Sequence, residues 1–168
     1  MASRLLEVPL RNQTLDLWCW AAVASAVSAY FQPHLTFVEP CQVAKRVINN
    51  TLDCCANPLQ CDFRADLHTA FQAIGLSAAS PVSPLPFAVV ADLVINRRFP
   101  VGARLVGSGV GGHFVLIVGC DDATGKVIVA DPSGSPGMPS GRWEMSYDDL
   151  LRNYGSWQGV CTHSVLIG

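Results

Sequence analysis

Cys19 stands where a thiol could be made reactive. It sits in the run Trp18-Cys19-Trp20-Ala21-Ala22, whose apolar character is that of a buried helix, and Gln13 lies six residues upstream. At a helix start, unpaired N–H groups and the positive end of the dipole favour thiolate over thiol. A side-chain amide a few residues back can curl beside the sulfur and supply one donor of an oxyanion hole. The N–H of Cys19 itself would supply the other. With a base and a group to orient it, this arrangement is that of a cysteine hydrolase.

Four histidines could serve as the base. His34 sits beside Pro33 in a turn, His68 falls in a helical run at the surface or core edge, and His163 lies in the final strand. His113 differs: it follows Gly111 and Gly112 and leads the apolar strand Phe114-Val115-Leu116-Ile117-Val118-Gly119. Glycine permits close approach and a strand holds the imidazole rigidly, although a structural histidine at a strand start is the plain alternative. Asp131 lies eighteen residues further on, beyond an expected hairpin turn at 121–125. If the flanking strands pair around that turn, His113 and Asp131 come to the same open edge. The carboxylate can then fix the imidazole tautomer while the other ring nitrogen faces the thiol. Asp131-Pro132-Ser133-Gly134 also reads as a turn opener, a role compatible with the first.

The elements that must position these residues follow from periodicity and punctuation. A helix over 17–31 is expected, with Asp16 as its cap and Pro33 beyond its end. Helices are also expected over 39–49, over 64–74 (capped by Asp62, stopped by Gly75) and over 87–97 after a Pro-rich connector at 80–86. From Pro100 the pattern changes to short β-like runs at 101–106, 114–120, 126–130, 141–145 and 159–167, with one helix at 146–153. The fold class is therefore α+β. One catalytic domain is expected over 1–168, a helical lobe at about 13–98 packed on an antiparallel β lobe at about 99–168. Trp18, Trp20 and Trp157 are core or cleft-wall residues, with the core favoured.

The chain has 168 residues, half of them hydrophobic and 14 % charged, enough for a compact core. A net charge of −2 with scattered basic residues gives no electrostatic case for nucleic acid or a membrane surface as partner. The apolar stretch 17–31 is too short to span a bilayer, and Glu7 and Asp16 dilute the basic flank that a signal peptide needs. A soluble chain without its own export signal is expected, and no cofactor or metal is called for.

Of seven cysteines, Cys41, Cys54, Cys55 and Cys61 cluster within 21 residues. Disulfides, free thiols and zinc are three readings of the cluster, the last disfavoured because adjacent Cys54 and Cys55 fit no usual ligand spacing. Cys120 and Cys161 read as small buried hydrophobes. The GxGxxG pattern at 107–112 precedes a strand rather than a helix, so it lacks a dinucleotide-binding context. Glycosylation patterns at Asn12 and Asn49 have nothing else to support them.

Gln13, Cys19-Trp20-Ala21-Ala22, Gly112-His113 and Asp131-Pro132 occur in the order and approximate spacing of papain-like cysteine peptidases. The chain resembles most the compact bacterial branch that includes plant-pathogen type III effector proteases and related toxin domains. It is similar also to the peptidase domains that trim leaders in bacteriocin exporters. The resemblance runs from Gln13 to about Trp157. It implies a papain-like fold, Cys19 as nucleophile, His113 as base and later acid, Asp131 as its orienter and Gln13 as oxyanion donor. Protein or peptide substrates follow, and the action of a delivered bacterial effector in a target cell. Plant papains carry asparagine where this chain has Asp131. Only twelve residues precede Gln13, so an inhibitory propeptide is not expected, and control would come from an inhibitor, immunity or activator protein. The same machinery would also serve an amidase, deamidase or transpeptidase, and a catalytically inactive binding module is a further alternative.

Overall fold

The computed structural model describes residues 2–107, 110–134, 141–155 and 158–166. In chain order these form β1 (Ser3–Leu5), α1 (Cys19–Phe31), α2 (Pro40–Val47), α3 (Leu67–Ala73) and α4 (Phe87–Ala91), which a π turn extends over Asp92–Asn96. The β half follows as β2 (Val101–Gly107), β3 (Val110–Asp121), β4 (Lys126–Ala130), β5 (Arg142–Ser146), α5 (Tyr147–Arg152) and β6 (Val160–Leu166). The strands join one antiparallel sheet in the order β5-β4-β3-β2-β6, with β1 paired to the far end of β3. This is the α+β arrangement expected, with helices leading and sheet following.

Helix α1 is the axis of the helical half. Residues 19–28 along it are all buried, so it is apolar on every face and must be enclosed on all sides. Its alanines and serines let neighbours approach closely, and the buried Ser25 hydroxyl is satisfied by Val38 O at 2.6 Å. One continuous core joins this helix to the sheet through Val23, Val27, Leu105, Val115 and Val118.

Several expectations are corrected at the helix starts. Trp18, not Asp16, is the residue before α1, and no side chain caps that end. Asp62 does not cap α3; its carboxylate accepts from the backbone N–H of Leu17 at 3.0 Å, bracing the segment that leads into Cys19. Asp66 caps α3 instead, accepting from Thr69 N at 2.8 Å. Strand β1 was not expected: three residues carry no readable period, and they form a strand because β3 offers them an edge.

The cysteine cluster forms two disulfides, Cys41–Cys55 and Cys54–Cys61. The loop they hold reaches α1 directly. Trp18 Nε1 donates to Cys61 O at 2.7 Å and Trp20 Nε1 to Phe63 O at 3.1 Å. The two indoles flanking the candidate nucleophile are thus buried core groups whose polar ends are tied to the cross-linked loop, the satisfied state a buried Trp requires. Trp157 lies outside the described residues.

Candidate active site

Helix α1 begins at Cys19, so the N–H of this residue is among the first-turn donors without an intrahelical acceptor. Its thiol is buried in the core beneath a cleft of about 470 Å3. The wall from the helical half includes Leu17, Trp20 and Arg64; the wall from the sheet includes Arg104, Gly112, His113 and Phe114.

His113 lies in the first part of β3, opposite Leu105 of β2. The β3–β4 register pairs Asp121 with Lys126 and Leu116 with Ala130. The chain leaves β4 one residue before Asp131, level with the part of β3 that carries His113. The hairpin expected around 121–125 therefore does bring the two side chains together: His113 Nε2 and Asp131 Oδ1 are 2.7 Å apart. Cys19 and His113 both line the cleft, and the Cys19 side chain is among the groups that raise the His113 pKa.

Electrostatics favour a charged imidazole. Burial alone would depress its pKa, but hydrogen bonds to Asp131 and Cys19, with the charges of both, lift it from the ordinary 6.5 to about 9. Asp131 is 3 % exposed. Burial pushes its carboxyl up, yet the His113 bond and charge, with two bonds from Ser133, hold it below the ordinary carboxylate value. Burial pushes the Cys120 thiol up to about 12 and the Cys161 thiol up to about 11, so neither is a nucleophile near neutral pH.

Gln13 stands apart from this trio. Its backbone N–H donates to Pro132 O at 2.7 Å, which straps the segment before α1 to the turn carrying Asp131. Its side-chain Nε2 donates to Leu15 O and to Asp16 O, each at 2.9 Å, and its Oε1 is buried without a partner. Gln13 is not among the residues lining the cleft. Of the other histidines, His68 bonds Ala79 O through Nδ1 and His163 bonds Thr162 Oγ1, and neither lies at the thiol.

The family model of the papain-like cysteine protease AvrRpt2 matches residues 2–154 of this chain. The chain belongs to that family. It is a papain-like cysteine protease of the AvrRpt2 family, and its substrates are proteins. Among solved structures it is similar to xylellain, a cysteine protease from Xylella fastidiosa. The identity is 12 %, the TM-score 0.58, and the match covers 98 % of this chain and 85 % of that one. At that identity the likeness speaks for the fold. No curated protein matches it.

Neither Tyr154 nor Ser133 is named by sequence reasoning as a partner of Asp131 at the site of this AvrRpt2-family protease. The Tyr154 hydroxyl donates to Asp131 Oδ2 at 2.8 Å, and Ser133 donates to Oδ1 through N at 2.8 Å and through Oγ at 2.7 Å. The Asp131-Pro132-Ser133 turn is what makes the Ser133 bonds local. The Tyr154 bond depends on where α5 and the following turn pack, which no local pattern records.

Proposed function

We propose that Cys19, His113 and Asp131 form the catalytic triad of an endopeptidase. The observation that carries this reading is a single imidazole, His113, held by the Asp131 carboxylate at 2.7 Å in the cleft that Cys19 also lines. Cys19 passes its proton to Nδ1 of His113 and its sulfur adds to the scissile carbonyl. The imidazolium is stabilised meanwhile by Asp131. His113 then returns the proton to the departing amine. A water, deprotonated by the same nitrogen, hydrolyses the thioester and frees Cys19.

The oxyanion of each tetrahedral intermediate falls to the Cys19 N–H and to Gln13 Nε2. For Gln13 this requires one of the two N–H groups now on Leu15 O and Asp16 O to turn to the substrate. A charged oxygen is roughly twice as strong an acceptor as a carbonyl, which favours the exchange. The family match also supports a delivered bacterial effector acting inside a target cell.

Cys19→Ala should abolish cleavage of substrate proteins while leaving the melting temperature close to wild type. Mass spectrometry of new N-termini in cells expressing each form gives the test. Full cleavage by Cys19→Ala would overturn the assignment. Mass gains of about one dalton on glutamines, without new termini, would identify a deamidase instead.

A further inference from the structure

Helix α1 opens without a side-chain cap, and the backbone that runs into Cys19 is held instead from a distance. Three successive residues of the cross-linked loop hold it: Cys61 O accepts from the Trp18 indole at 2.7 Å, Asp62 Oδ1 from the Leu17 N–H at 3.0 Å, and Phe63 O from the Trp20 indole at 3.1 Å. The loop is placed by its own closure. Cys61 is fully buried and bridged to Cys54, and Asp62 follows the short 3₁₀ turn Pro58–Cys61. Of the three loop residues only Asp62 accepts through its side chain, so a single substitution there removes its hold.

The Leu17 N–H belongs to the peptide unit whose carbonyl is Asp16 O. That carbonyl accepts from Gln13 Nε2 at 2.9 Å. One rigid plane therefore lies between the Asp62 carboxylate and the Gln13 amide, gripped at both ends. Hydrogen bonds in such a chain polarise one another, so the carboxylate on the N–H strengthens Asp16 O as an acceptor. Leu15 O, which takes the other Gln13 hydrogen at 2.9 Å, also accepts from Trp18 N at 3.2 Å and stays satisfied when Gln13 leaves it. The hydrogen on Leu15 O is thus the one free to turn to a developing oxyanion, with the bond to Asp16 O as the pivot. Asp62 itself does not line the cleft, so it reaches the reacting atoms only through other groups.

We propose that Asp62 is a positioning residue for the oxyanion hole: it fixes the 16–17 peptide, and through Asp16 O it holds the Gln13 amide where the substrate oxygen becomes charged. This role rests on the reading above that Gln13 is the second oxyanion donor, and it adds what orients that donor. Its signature is a loss felt in the transition state alone. Substrate binding and the reactivity of the Cys19 thiol do not pass through the Gln13 amide, so neither should change.

Steady-state kinetics of the full chain test it, on a quenched-fluorescent peptide selected from a library for cleavage by the wild type. Asp62→Ala should lower kcat about tenfold with KM within about twofold. Asp62→Asn keeps an acceptor for the Leu17 N–H and should recover most of that loss. Alkylation of Cys19 by iodoacetamide, a reaction that forms no oxyanion, should keep its wild-type rate in both variants. In a Gln13→Ala background Asp62→Ala should cost less than about twofold more, because the group it positions is gone. Where Asp62→Ala does not fold, Asp62→Leu, similar in size and without an acceptor, takes its place in the cycle. The proposal is overturned if kcat is unchanged, or if the Asn variant loses as much as the Ala variant. It also fails if the loss is as large without Gln13 or is matched by slower alkylation. Failure of the oxyanion reading looks different: Gln13→Ala alone would leave kcat at the wild-type value, and the role of Asp62 would fall with it.

Discussion

Tyr154 holds the carboxylate oxygen of Asp131 that His113 leaves free: the phenol donates to Oδ2 at 2.8 Å while the imidazole takes Oδ1 at 2.7 Å. The aspartate is thereby fixed at both ends, and its plane sets the plane of the imidazole. Burial and the neighbouring charge raise the Tyr154 hydroxyl pKa far above its ordinary value, so it remains a donor at every working pH.

Tyr154→Phe removes that bond. Stability should fall by about 1 kcal/mol, the usual net worth of one hydrogen bond. A larger effect is expected on kcat/KM, roughly tenfold, because Asp131 can then rotate away from His113. The alkaline limb of the pH profile separates positioning from mere packing. A less firmly held Asp131 stabilises the imidazolium less, so the limb should move to lower pH in the variant. An unmoved limb with reduced stability would make Tyr154 a packing residue only.

The raised pKa of His113 has a consequence for stability. Folding favours the protonated ring, so its contribution is complete below the ordinary 6.5, declines as pH rises toward about 9, and is gone above that. Asp131 works the other way: its contribution is present above the ordinary 3.8 and is lost as pH falls through its depressed folded value. Urea unfolding should therefore show wild type losing on the order of 2–3 kcal/mol between pH 6.5 and 9. His113→Ala should flatten that decline. An equal slope in the variant would assign the pH dependence to other groups.

The candidate triad was legible because each member obeys a local rule. Cys19 opens an apolar helix, His113 leads a strand behind two glycines, and hairpin counting brings Asp131 level with it. The helix caps were not legible, since Asp16, Asp62 and Asp66 are chemically equivalent candidates. Tertiary contact chose among them: Asp62 is taken by the N–H of Leu17, 45 residues away, which leaves Asp66 for α3. The pairing of four clustered cysteines is likewise undetermined by spacing, which admits three connectivities. Tyr154 reaches Asp131 only after α5 and β6 have packed.

The two disulfides should differ in reactivity. Cys54 and Cys61 are fully buried, while Cys55 is exposed and Cys41 half-buried. Thiolate exchange needs access to sulfur, so a mild reductant on the native protein should open Cys41–Cys55 first. Alkylation and mass mapping should recover labelled Cys41 and Cys55 well before Cys54 and Cys61. Replacing Cys54 and Cys61 together by serine should destabilise the protein by about 2–3 kcal/mol, the scale for a short closed loop. Activity should fall as well, because Cys61 O is the acceptor for Trp18 Nε1 beside the nucleophile. Simultaneous labelling of all four cysteines would contradict the ordering.

Gln13 gives the sharpest kinetic test, because both hydrogens of its amide are engaged in the structure by Leu15 O and Asp16 O. If one turns to the oxyanion only as negative charge develops, Gln13 contributes to the transition state and not to substrate binding. Gln13→Ala should then lower kcat by about 10²-fold, the scale for one oxyanion donor, with KM nearly unchanged. Gln13→Glu should be at least as damaging, since a carboxylate there repels the oxyanion as well as failing to donate. A purely structural Gln13, tying Leu15 and Asp16 to the segment before α1, would give a different result. Its loss would lower the melting temperature and disorder Cys19, and the alkylation rate of that thiol would change along with kcat. A kcat loss with unchanged melting and unchanged Cys19 alkylation assigns Gln13 to the oxyanion; the coupled loss assigns it to the fold.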